Sequence, residues 1–88
     1  MMWKVYLSKS AEKFLEEGMV SKGDVFDLVT KAIKVFQGTK INLDIKKLKG
    51  EWRGFYRIRK GDARIITSFN FDDCIARVEI IDWRGGVY

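Results

Sequence analysis

Phe55-Tyr56-Arg57-Ile58-Arg59-Lys60-Gly61-Asp62-Ala63-Arg64-Ile65-Ile66 is the stretch on which the fold turns. Large apolar and β-branched residues alternate with cations on both sides of a glycine-centred break, the pattern of a β-hairpin with one face toward a core and one toward water. Period two puts Arg57 and Arg59 on one face and Tyr56 and Ile58 on the other. A two-residue turn, whether Lys60-Gly61 or Gly61-Asp62, brings Arg64 onto the face of Arg57 and Arg59. The first register sets Arg57 opposite Arg64 and Arg59 opposite Asp62; the second sets Arg59 opposite Arg64. Either way three guanidinium groups converge, and like charges across a sheet repel unless an anion compensates them.

Working outward, the hairpin strands read as Phe55 to Arg59 and Ala63 to Phe69. A further strand follows from Ile75 to Ile81, after the turn-forming run Asn70-Phe71-Asp72-Asp73. At the other end Trp3-Lys4-Val5-Tyr6-Leu7 alternates as an opening strand. Ser8 or Ser10 then caps a short helix with Ala11, Phe14 and Leu15 on one face, and Gly18 offers a stop. After Ser21 a second amphipathic helix carries Val25, Phe26, Val29, Ile33 and Phe36 at helical spacing and ends at Gln37-Gly38. Residues 39–51, polar and basic with scattered apolar anchors, read as a connecting loop. The order β-α-α-β-β-β predicts one α+β domain over residues 1–88, a helical hairpin packed on an antiparallel sheet.

Composition removes several kinds of chemistry. Among 88 residues there is no His and one Cys, Cys74. That excludes an internal disulfide framework, a Cys/His zinc site, an imidazole base and a serine-hydrolase triad. The Asp72-Asp73 pair reads as a turn rather than a metal site, and no metal or other cofactor is expected. A hydrophobic content of 47% with 14% aromatic residues argues against disorder. No run approaches the length needed to span a bilayer, and Met1-Met2-Trp3-Lys4 lacks a signal-peptide pattern, so a cytoplasmic protein without a membrane partner is expected.

The net charge of +5 is unevenly placed. Residues 1–44 hold seven lysines against six acids, whereas residues 45–88 hold ten basic residues against six acids, including all six arginines. Lys46, Lys47, Lys49, Arg53, Arg57, Arg59, Lys60 and Arg64 fall in one stretch with Trp52, Phe55 and Tyr56 interleaved. Such a mixture suits a polyanion with stackable bases. The C-terminal run Trp83-Arg84-Gly85-Gly86-Val87-Tyr88 adds a further arginine and a tyrosine able to stack on a base or act through its phenol.

The run from Lys47-Leu48-Lys49-Gly50 through Gly54-Phe55-Tyr56-Arg57-Ile58-Arg59-Lys60-Gly61-Asp62-Ala63-Arg64-Ile65-Ile66 resembles the hairpin segment of RelE/ParE-type toxins from toxin-antitoxin pairs. The ending Trp83 to Tyr88 resembles that family's tail, and Ser8 or Ser10 with Ala11, Lys13, Phe14 and Leu15 resembles its first helix. The resemblance implies the RelE-like fold. It also implies an endoribonuclease that cuts messenger RNA on the ribosome without a metal, through a basic set matching Arg57, Arg59, Arg64 and Arg84 together with Tyr88. Lys46, Lys47, Lys49, Arg53 and Lys60 would grip RNA phosphates. The chain departs from the family pattern where Trp83 stands at the tail histidine position and where some members carry lysine in place of Arg57 and Arg59. The expected partners are a cognate antitoxin, in a hetero-oligomer, and the ribosome with its mRNA. A non-enzymatic ParE-like inhibitor of DNA gyrase and an inactive antitoxin-binding module are the alternatives on the same fold.

Overall fold

A computed structural model of the chain describes residues 2–83. Among them the chain forms β1 (Lys4–Leu7), α1 (Lys9–Glu16), α2 (Lys22–Phe36), β2 (Asp44–Lys47), a 3-10 turn (Gly50–Trp52), β3 (Phe55–Lys60), β4 (Ala63–Asn70) and β5 (Ile75–Trp83). Arg84, the Gly85-Gly86 pair and Tyr88 lie outside the described residues.

Each helix starts where its sequence supplies a cap. Ser8 is the N-cap of α1: its hydroxyl accepts from the Ala11 amide at 3.0 Å and donates to the Glu79 carbonyl at 2.6 Å. Ser21 and Asp24 form a reciprocal capping box at the start of α2. Gly38, at φ +98°, turns the chain out of α2 in a conformation that side chains resist.

The strands lie side by side in the order β1-β5-β4-β3-β2. The hairpin takes the second of its two registers: Lys60 pairs with Ala63 and Arg59 with Arg64, so Gly61-Asp62 is the turn, with Gly61 at φ +59°. Two expectations are corrected. Part of the stretch read as a loop over residues 39–51 is strand: β2 pairs antiparallel with β3, from Asp44 opposite Arg59 to Lys47 opposite Tyr56. It is a short edge strand whose one apolar residue is Ile45, so it carries almost no alternation to read. The sheet is also mixed rather than purely antiparallel, because β1 runs parallel to β5 from Lys4 opposite Ile75 to Leu7 opposite Val78. Ser8 locks that pairing by donating its amide to the Val78 carbonyl at 2.9 Å, a contact that local pattern cannot announce.

Both helices cover one face of the sheet. Ala11 of α1 and Val25, Leu28, Val29, Ala32 and Ile33 of α2 are buried against Ile58, Ala63, Ile65, Ala76, Val78 and Ile81. Burial of each larger aliphatic side chain contributes about 1.5–3 kcal/mol. The α2 stripe falls on Val25, Val29 and Ile33 as its spacing predicts, while Phe36 sits at the margin with ring centroids 4.9 Å from Tyr56 and 5.1 Å from Phe69. Thr67 is buried in this apolar layer, its hydroxyl satisfied by the Arg77 carbonyl at 2.7 Å. Between Ile66 and Thr67 the β4–β5 register shifts, from Ile66 opposite Ile80 to Thr67 opposite Val78, so Glu79 is the extra residue of a bulge.

Candidate nucleic-acid interface

Among the described residues no helix lies on the other face of the sheet, and the strand registers arrange its residues in rows. Asp44, Arg59, Arg64 and Asp82 are successive partners across β2, β3, β4 and β5. One row along, Lys46, Arg57, Ile66 and Ile80 are partners in the same way. Arg57, Arg59, Arg64 and Lys46 therefore come together on one open surface.

The repulsion expected among these arginines is met by two acids at the ends of the first row. Arg57 Nη2 lies 3.0 Å from Asp44 Oδ1 and Arg59 Nε lies 3.4 Å from Asp44 Oδ2. Arg64 Nη2 pairs closely with Asp82 Oδ2. These pairs reach solvent, so each stabilises the fold by about 0–1 kcal/mol at most; their effect is to fix the direction of the guanidinium groups. Sequence reasoning missed both acids. Asp44 lies in the stretch expected to be a loop, and Asp82 meets Arg64 only through the β4–β5 pairing.

Leu48, Arg57, Arg64, Ile66, Ile80 and Asp82 line a hollow of about 260 Å³ on this face. Arg57 Nε is shut off from solvent there and has no acceptor among the described residues. A donor left in this state costs about 1–3 kcal/mol. Period-two reading of β4 also puts Ile66 beside the arginines, giving the hollow an apolar floor suited to a sugar or base.

The remaining expected cations separate. Lys49 and Arg53 are exposed on either side of the 3-10 turn, near the β2 edge. Lys47, one residue beyond Lys46, pairs with Tyr56 on the helix-covered side. Lys60 also belongs to that side, where its ammonium lies 3.9 Å from Asp27. Lys31 donates to the same carboxylate at 2.9 Å and holds it below its ordinary pKa, Lys60 adding its charge, while Asp27 raises the pKa of Lys31. Trp83 ends β5 packed against the core, across from Ala63. Arg84 and Tyr88 lie outside the described residues.

Chemically, fixed guanidinium groups beside an apolar floor can clamp a phosphodiester and stabilise added negative charge on phosphorus. No protein-family model matches the sequence, and no curated protein matches it. Among solved structures the chain is similar to the archaeal RelE-RelB complex of Pyrococcus horikoshii, at 25% identity and a TM-score of 0.58, over 99% of this chain and 100% of that one. It is similar to the RelB-RelE antitoxin-toxin complex of Methanococcus jannaschii, at 26% identity and a TM-score of 0.59, over 94% of each chain. The E. coli DinJ-YafQ complex shares the fold, with a TM-score of 0.63 at 14% identity over 99% of each chain. Two helices on a five-stranded mixed sheet, an arginine-bearing hairpin and full-length likeness to two archaeal RelE chains lead to one conclusion: the chain belongs to the RelE-like toxin superfamily.

Proposed function

We propose that this chain is the toxin of a toxin-antitoxin pair and a metal-independent endoribonuclease that cleaves mRNA on the ribosome. The observation that carries the reading is the convergence of Arg57, Arg59 and Arg64 on the open sheet face, with Arg57 and Arg64 lining one hollow. In the proposed reaction the ribose 2′-oxygen bonds to the adjacent phosphorus and the P–O5′ bond breaks. One proton leaves the 2′-hydroxyl and another reaches the departing 5′-oxygen, giving a 2′,3′-cyclic phosphate and a 5′-hydroxyl. Arg57 and Arg64, joined by Arg84, hold the phosphate and its transition state, and Arg59 adds charge beside them. Arginine is a poor proton acceptor, so the proton transfers fall to Tyr88 or to groups of the ribosome, which also orients the RNA in line. Lys46, Lys49 and Arg53 grip neighbouring phosphates.

The relatives from Pyrococcus horikoshii and Methanococcus jannaschii are held by RelB. By that likeness the partner of this chain is a cognate antitoxin in a hetero-oligomer, its acidic, foldable segment covering the basic face. The test is purified protein on translating ribosomes with a defined mRNA, the cut ends mapped by primer extension. Wild type should give ribosome-dependent cuts that Arg64→Ala removes; activity surviving in Tyr88→Phe would reduce that side chain to stacking. Intact mRNA with wild type would overturn the ribonuclease reading and direct the assay to gyrase inhibition.

A further inference from the structure

Next to the two arginine-bearing rows the open face carries a third, and its composition is different. Phe55 of β3 pairs with Ser68 of β4, Ser68 with Arg77 of β5, and Arg77 with Tyr6 of β1. Tyr6 is 44% exposed, and the Arg77 guanidinium lies over its ring at 5.4 Å. Phe55 is half-buried and held edge-on by Trp52, at 5.2 Å between ring centroids. Ser68 between them is small, and a depression beside it is lined by Ser68, Phe69, Asn70, Asp73, Ile75 and Arg77. Arg77 makes no ion pair among the described residues, unlike Arg57, Arg59 and Arg64; its guanidinium lies against the Tyr6 ring instead.

We infer that this row is a base-stacking subsite for single-stranded RNA, in which Phe55 and Tyr6 receive bases on one side of the phosphate held by Arg57 and Arg64, and Arg77 holds a phosphate between those two bases. The inference rests on the ribonuclease reading and extends it from a phosphate clamp to a strand path across the sheet. Geometry supports the path. Phe55 precedes Arg57 by two residues and Arg59 by four, so the stacking row lies about 7 Å from Arg57 and about 14 Å from Arg59 and Arg64 along the strands, and the two rings stand about 14 Å apart across three strand spacings. Rings alternating with a cation on an open sheet are the arrangement by which proteins bind unpaired nucleotides without reading their sequence. Lys4, at the β1 edge beyond Tyr6, continues the positive charge.

The test uses a fluorescent single-stranded oligoribonucleotide, 2′-O-methylated so that it is bound and not cut, with binding read by anisotropy. Tyr6→Ala should weaken binding about tenfold, Phe55→Leu severalfold, and Tyr6→Phe hardly at all, because stacking needs the ring and not the hydroxyl. A probe with abasic sites should bind wild type about tenfold more weakly and should no longer distinguish Tyr6→Ala from wild type. Arg77→Gln should flatten the salt dependence by about one phosphate contact. If Arg64→Ala weakens binding while Tyr6→Ala, Phe55→Leu and the abasic probe have no effect, the subsite is wrong and the ribonuclease reading stands. Cutting on ribosomes with no affinity for the free probe likewise overturns the subsite and spares the ribonuclease reading. RNA binding unchanged in Tyr6→Ala while affinity for an acidic peptide falls assigns the row to a protein and overturns the inference. Neither binding nor cutting by wild type overturns both.

Discussion

Arg64 and Ile65 are neighbours in the chain, yet they belong to opposite faces of the sheet. Ile65 is fully buried among the aliphatic residues under the helices, and Arg64 points into the open row beside Asp82. The same split runs through β3, where Ile58 is buried and Arg57 and Arg59 face out. Stability and chemistry are thus interleaved residue by residue in these two strands, and the alternation of side chains keeps them physically apart. A substitution on one face should disturb one property and spare the other.

The strongest way to break this comparison is to cut into the covered face. Ile65→Ala should destabilise the fold by about 2–5 kcal/mol, measured by urea unfolding, because it opens a cavity under α2; a loss below about 1 kcal/mol would mean that the two faces are not so different. Arg64→Ala is the mirror experiment. Activity on ribosomes should fall about 100- to 1,000-fold, while unfolding should shift by no more than about 1 kcal/mol, since the pair with Asp82 is half-exposed. Loss of the fold in this variant would put Arg64 in the structural class with Ile65. Ser8→Ala tests the hook between the helix layer and the bulge: losing the α1 cap and the bond to Glu79 should cost about 1–2 kcal/mol, with activity per folded molecule retained.

The smallest effect belongs to the rim, where the covered face meets water. Asp27 is held below its ordinary pKa of 3.8 by the Lys31 hydrogen bond, so its contribution is present above that value and fades as pH falls through the lowered one. Lys31 is raised above its ordinary 10.5, so its share is present below that value and is lost as pH rises through the raised one. Asp27→Asn should therefore lower the melting temperature slightly at pH 7, less than Ser8→Ala does, and the difference should vanish in strong acid and strong alkali. A difference that persists at both extremes would show that something other than this ion pair was lost.

What the sequence disclosed follows the same division. The hairpin, both helices and their buried stripes were legible because alternation and helical spacing are local signals with apolar residues to carry them, as in Ile58, Ile65, Val25 and Val29. β2 was not, having Ile45 alone as an apolar residue, and the β1–β5 pairing was not, since its bonds join residues as far apart as Ser8 and Glu79. The convergence of Arg57, Arg59 and Arg64 could be read from period two, but their partners Asp44 and Asp82 could not, each lying on a strand whose neighbour is settled only by the finished sheet. Counting charge along the chain groups Lys47 and Lys60 with the arginines; alternation sends both to the other face.

The bulge at Glu79 also decides which errors in length this protein can survive. β5 is written in two phases: Val78 and Ile81, three apart, are both buried, and Arg77 and Ile80 both belong to the open face. Removing Glu79 would bring the strand back into one phase: Val78 and Ile80 would follow each other opposite Thr67 and Ile66, with Ile81 and Trp83 kept under the helices and Ile80 and Asp82 kept on the open face. The turn at 71–74 has no such phase to keep. A single-residue deletion there, or of Glu79 itself, should be tolerated far better than deletion of Val78, which would draw Glu79 into that buried place, and a library of deletions across β5 would show tolerance at the bulge beside collapse at its buried neighbour.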